Sequence, residues 1–262
     1  MDRPIILGMI LAAVTLLGGI MAKGSNPAVL IDPAALIIIF VGTIACILNA
    51  FTMKEIKRVP KLFKILFTEQ KLYEPANIIQ MIVDLAYQAR RDGLLSLETQ
   101  MAEIDDPFIK KGLQMIVDGQ DEQFLRDYME TEIVMMEERH ASGALVFTQA
   151  GTYAPTLGVL GAVIGLIGAL GSLDDVDALG VSIAAAFVAT LFGIFTGYVL
   201  WHPFANKLKR KSQEEIVIKT MILEGLISIQ SGSNPVQIKE KMMVFLTPEQ
   251  RQLMEEGSDI DG

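Results

Sequence analysis

Residues 141–173 read ASGALVFTQAGTYAPTLGVLGAVIGLIGALGSL, without one Asp, Glu, Lys or Arg. A helix needs about 20 mainly apolar residues to cross a hydrocarbon core, so this stretch exceeds one span and continues past the lipid. Three further charge-free stretches accompany it: Pro4–Ala22, Pro33–Met53 and one within Ala178–Asn206. They account for the composition of the 262-residue chain, 51% hydrophobic, 20% charged and with a mean hydropathy of +0.41. An ordinary cytosolic enzyme spreads its apolar residues with a helical or strand period instead of concentrating them in such runs. The pattern implies an all-α integral membrane protein with four transmembrane helices.

Arg3 before an apolar stretch also fits a signal peptide. The length of that stretch and the short turn from Gly24 to Asp32 favour a first span leading into a second. Asp32-Pro33 is a good helix start, an N-cap acceptor followed by the residue whose missing N–H costs nothing there. Lysine and arginine set orientation, since they favour the cytoplasmic side. Lys54, Lys57, Arg58, Lys61 and Lys64 follow the second span, and Lys207, Lys209, Arg210 and Lys211 follow the fourth. Both termini and a large insert are then expected inside. The domains expected are a membrane hairpin over 1–53 (spans about 4–22 and 33–53), a cytoplasmic helical insert over 54–150, a second hairpin over 151–202 (spans about 151–173 and 180–202) and a cytoplasmic C-terminal helical tail over 203–262.

Within the insert, Ile56, Val59, Leu62, Phe63 and Leu66 recur at helical spacing with lysines between them, which suits either a helix lying on the membrane or a buried stripe. Glu74-Pro75, Asp106-Pro107 and Thr247-Pro248 mark helix starts. Residues 121–150 lack proline and predict a helix that runs into the third span. Gly257–Gly262 should fray.

Charge and ligand chemistry exclude several classes. The chain has 22 basic and 31 acidic residues, a formal charge of −9, so phosphate neutralisation and nucleic-acid binding are poor fits. Cys46 is alone, and His140 and His202 are far apart with no ligand-spaced motif, so neither an internal disulfide nor a metal site is expected. No nucleophile constellation points to a catalytic residue. Intramembrane carboxylates and lysines are the usual marks of ion passage, and none occurs in the four spans. If the protein moves ions, another chain supplies the carboxylate. Thr156, Thr190 and Thr196 could line a path, or could bond back to their own helices. Gly158, Ala162, Gly165 and Ala169 in the third span, and Ala185, Ala189, Gly193 and Gly197 in the fourth, repeat small residues once per turn. Such rows admit a close neighbour, either the other helix of the hairpin or a partner. Pro155 and Pro203 can hinge or end a helix; position alone favours a helix end for Pro203.

The N-terminal Ile6–Leu11 run, Asp32-Pro33-Ala34-Ala35 with Gly42-Thr43, the stretch Ala89–Glu98, the stretch Ala154–Gly165 and the passage from Ala189-Thr190-Leu191-Phe192-Gly193 to His202-Pro203 resemble the MotA/PomA family of flagellar motor stator proteins, over most of the chain. The resemblance implies a homopentamer around a dimer of MotB, whose single membrane helix brings the missing aspartate. It further implies torque on the rotor protein FliG through the insert. Arg90, Arg91 and Glu98 fall on or beside the family's rotor-facing charges, Thr190 on a threonine facing the partner's aspartate, Ala162 and Thr156 on the same channel face, and Pro155 and Pro203 on two sensitive prolines that the resemblance reads as hinges. Sodium-driven relatives carry a hydroxyl where Ala162 stands, so the ion implied here is the proton, with no other cofactor. An ExbB/TolQ-like channel subunit energising envelope transport is the alternative; three spans and a different insert set it apart.

Overall fold

A computed structural model of the chain describes residues 2–69, 74–171 and 173–258, and every regular element among them is a helix. The elements are α1 (Arg3–Ala22), a 3-10 turn (Pro27–Leu30), α2 (Pro33–Leu36), a π turn (Ile37–Val41) and α3 (Gly42–Ala50), then α4 (Met53–Ile56) and α5 (Val59–Phe67). Next come α6 (Pro75–Asp92), a 3-10 turn (Leu94–Ser96), α7 (Leu97–Gln100), α8 (Pro107–Val117) and α9 (Glu122–Leu170). The chain closes with α10 (Val176–Phe195), a second π turn (Thr196–Trp201), α11 (His202–Gln230), α12 (Pro235–Met243) and α13 (Pro248–Ser258). Four helices are long and apolar enough to cross a membrane: Arg3–Ala22, Pro33–Ala50, Glu122–Leu170 and Val176–Gln230.

Local chemistry explains most helix starts. Asp32 Oδ1 accepts from the Ala34 and Ala35 amides at 2.9 and 3.4 Å, and Asp106 Oδ1 from Phe108 and Ile109 at 2.8 and 3.2 Å. Thr247 and Gln250 cap one another, amide to side chain, at 3.0 and 3.3 Å, a reciprocal arrangement that satisfies two free donors. The fraying expected for Gly257–Gly262 lies mostly outside the described residues, Gly257 and Ser258 being the last of α13.

Pro203 departs from the sequence expectation. It is the second residue of α11, and the helix runs through it from α10 without a break. Proline inside an α-helix clashes with the carbonyl four residues earlier. Here that residue is Val199, inside the wider π turn, which relieves the clash and lets the helix continue.

The chain divides into two compact units, Met1–Gln70 with Arg139–Arg210, and Lys71–Glu138 with Lys211–Gly262. In the first, the open question about α5 resolves toward burial. Leu66 is fully buried, and Leu62 and Phe63 pack on Phe147 and Phe204 while Lys61 and Lys64 stay exposed. Phe63 meets Phe147, Phe204 and Trp201 edge to face, with centroids 5.1, 6.3 and 6.5 Å apart, a geometry that adds to simple area burial. Ser142 Oγ donates to Glu55 Oε1 at 2.8 Å, and the Thr52 amide and hydroxyl donate to Oε2 at 2.9 and 2.8 Å.

The second unit shows what the sequence does not state, that residues 211–262 complete the core of residues 71–138. Ile79 and Ile82 of α6, Leu113 and Ile116 of α8, Leu125 and Met129 of α9, Leu226 of α11 and Met242 of α12 share one buried cluster. Glu224 ties this core together, accepting from Arg126 at 2.8 Å and Lys241 at 2.5 Å. Burial pushes its carboxyl up, but the hydrogen bonds of Lys241 and Arg126 outweigh burial and hold it below the ordinary value. A carboxyl lower in the folded than the unfolded state contributes stability above the unfolded value and loses it as pH falls through the folded one. Glu224→Gln is therefore expected to destabilise the purified protein by about 1–3 kcal/mol at neutral pH. The difference from the parent should shrink below about pH 4; melting curves in which it stays constant would remove the ion pairs from the account.

Candidate functional site

Two groups of residues singled out in the sequence have built surroundings. The first is the turn that joins α6 to α7. Gly93 adopts φ 85° and ψ 162°, a region that a Cβ makes costly, and there the chain reverses. Three contacts hold the reversal: Ser96 Oγ donates to the Gly93 carbonyl at 2.7 Å, Gln88 Nε2 to the Ser96 carbonyl at 2.9 Å, and Leu97 is fully buried beneath it. The turn thus presents Arg90, Arg91, Leu95 and Glu98 on its exposed side.

These charges are not equivalent. Arg91 grips Asp92 with Nε 3.0 Å from both carboxylate oxygens and Nη2 2.8 Å from Oδ2. That hydrogen bond raises the guanidinium and lowers the carboxyl. Arg90 and Glu98 have no ion pair among the described residues, so their charges are available to a partner. Gln88 and Ser96, which hold the turn, carry no sequence signal that would have singled them out.

The second group is the packed face of the third and fourth spans. A Cβ built on Gly193 would lie 2.7 Å from the Ala154 carbonyl oxygen and 2.8 Å from Gly158 Cα; one on Gly158 would lie 2.9 Å from the Ala189 carbonyl oxygen. Gly165 meets Ala186 in the same way, with Cβ and Cα at 3.0 and 3.2 Å. The small-residue rows are therefore filled by the other helix of the same hairpin. Gly197 continues the seam, its Cβ direction occupied by the Gly151 carbonyl oxygen and Pro155 Cγ, each at 2.8 Å. Pro155 lies inside α9 and packs against the second π turn. Gly151, two turns before Gly158 on the same face, takes the His202 ring at 2.8 Å, and extending the small-residue row backwards would have found it.

Thr156, Thr190 and Thr196 all donate to their own helix, to the Tyr153, Ala186 and Phe192 carbonyls at 2.7, 3.2 and 2.7 Å. Both readings of these hydroxyls survive in part, because an oxygen whose proton is given away keeps lone pairs to accept with. Thr156 is exposed and Ala162 and Thr190 half-buried, whereas Thr196 is buried and closed to any partner.

Residues 6–93 match the model described as Motility protein A N-terminal, and residues 100–221 the MotA/TolQ/ExbB proton channel family. Motility protein A of Bacillus subtilis (strain 168) is 51% identical over 263 residues, covering 100% of this chain and 97% of the relative. Among solved structures, the flagellar MotAB stator complex from Bacillus subtilis superposes with a TM-score of 0.90 at 53% identity, covering 94% of this chain and 97% of that one. C. jejuni MotAB has the same TM-score at 33% identity, with coverages of 95% and 97%. These agreements run from the first span to the last helices, and by them the chain belongs to the MotA/TolQ/ExbB proton channel family, among its motility protein A members.

Proposed function

We propose that this chain is the stator subunit of the bacterial flagellar motor, forming with a MotB-like partner a channel that couples proton flow across the inner membrane to torque on the rotor protein FliG. It is a mechanical device and not an enzyme. The observation that carries this reading is the likeness to motility protein A and the MotAB stator complex over nearly the whole chain. Four spans free of Asp, Glu, Lys and Arg fit it, because proton passage then needs a carboxylate from a second chain. Lysines and arginines after the second and fourth spans favour cytoplasmic termini. We assign Arg90 and Glu98 to the rotor contact, with Arg91 held back by Asp92, and Thr190, Ala162 and Thr156 to the face toward the partner's aspartate. Pro155 and Pro203, beside and just after the second π turn, are the hinge candidates.

Recovering the chain from native membranes and identifying what accompanies it by mass spectrometry tests the reading. A single-span protein with an intramembrane aspartate and a peptidoglycan-binding domain supports it, as does a mass consistent with five copies around two. A companion with only a small envelope-transport domain transfers the chain to the ExbB/TolQ kind. At finer scale, Thr190→Val keeps the side-chain volume and removes the acceptor. Proton flux through the reconstituted complex should fall about two- to tenfold, the equivalent of one hydrogen bond. Undiminished flux would take Thr190 off the ion path.

A further inference from the structure

One threonine in the spans behaves unlike the rest. Thr15, Thr148, Thr152, Thr156, Thr190 and Thr196 each donate to a carbonyl three or four residues earlier in their own helix. Thr43 is 4% exposed, and its hydroxyl has no hydrogen-bond partner. The carbonyl it would ordinarily reach belongs to Ile39, inside the first π turn, where the i−4 register is lost. Leaving a buried hydroxyl unpaired is unfavourable, so an occupant that restores the bond gains from it.

Thr43 lines a cavity of about 310 Å³ whose wall is almost wholly apolar and includes Phe40, Phe63, Phe147, Ala150 and Trp201. Both π turns contribute, Phe40 from the first and Trp201 from the second, and π turns inside helices concentrate at functional sites. Water suits the space poorly, because a buried water makes about three hydrogen bonds and this wall offers little beyond one hydroxyl. An apolar cavity of about 150 Å³ takes benzene, so this one holds a body about twice that size.

We propose that this cavity is a binding site for a neutral amphiphile with a compact apolar body, of eight or so carbons, and one hydroxyl or carbonyl that bonds Thr43 Oγ1. A staggered rotation about χ1 exchanges the threonine methyl and hydroxyl at the wall, so the contact needs no backbone change. The site is independent of the motor reading, and it joins the second span, α5 and both helices of the second hairpin within one unit.

Trp201 is the one tryptophan of the chain, and a bromine atom quenches indole fluorescence on contact. Titrating the native complex in lipid nanodiscs with 8-bromooctan-1-ol, and subtracting a Trp201→Phe blank, should give saturable quenching. Thr43→Val, equal in shape, should raise the half-saturating concentration about two- to tenfold for the bromoalcohol and leave that for 1-bromooctane unchanged. Ala150→Phe should abolish the saturable component. Quenching that rises only linearly, as partition into lipid does, overturns the site. So does a Thr43→Val chain that responds like the parent, or one that shifts equally for both probes.

Discussion

Gly193→Val should remove the protein from the membrane fraction and stop swimming, and even Gly193→Ala should weaken both severely. The space a side chain would take is occupied by the Ala154 carbonyl oxygen and Gly158 Cα, at 2.7 and 2.8 Å from an ideal Cβ. Overpacking against side chains costs about 1–3 kcal/mol because rotamers give way. Backbone atoms of a neighbouring helix have no rotamer to change. The spans must separate instead, and in lipid their attraction is close packing, without a hydrophobic contribution to compensate. Gly168 is the internal control: its Cβ would find only Ser182 Oγ, at 3.9 Å, so Gly168→Ala should be nearly silent. Immunoblots of membranes, recovery of the assembled complex and spreading in soft agar measure the contrast. Equal behaviour of the two alanine variants would show that the seam is looser than these distances imply.

Arg90→Glu is expected to abolish most swimming while the complex still assembles in normal amount. Its guanidinium is exposed and unpaired at the turn, so reversal changes what the surface offers a partner and breaks no internal contact. Arg91→Ala should be milder, since that charge is already half-cancelled by Asp92, and exposed pairs are worth about 0–1 kcal/mol. Glu98→Lys should resemble Arg90→Glu. Opposite charges substituted into the rotor partner should restore part of the motion to either, a result that local misfolding would not produce. Full motility of the Arg90→Glu, Arg91→Ala double variant would remove the turn from the torque path.

The fold was legible where a single residue type carries its physics. Charge-free runs gave the four spans, and Asp32-Pro33 and Asp106-Pro107 gave helix starts because cap and proline act locally. The candidate site was half legible. Small residues once per turn announced a close approach, but the pattern left open whether the neighbour was internal; only the contacts of Gly158 with Ala189 and Gly193 identify it. Arg90 and Glu98 came from resemblance, since exposed charges look alike in any sequence, and the commitment of Arg91 to Asp92 depends on rotamers. The joining of residues 211–262 to the core of 71–138 is a long-range event with no local signature. The π turns were invisible because no residue type specifies them, and Pro203 was misjudged for that reason.

Each π turn winds one more residue into the helix than an α turn would, and this bears on how such chains change over descent. Deleting one residue between Thr196 and Trp201 would leave an uninterrupted helix of good composition, yet everything after it would be turned by about 100° relative to α10. His202 would leave the notch of Gly151, and Pro203 would lose the widened register that accommodates it. A single-codon gap here is therefore far from neutral. Relatives should vary in residue identity across this segment much more freely than in its length.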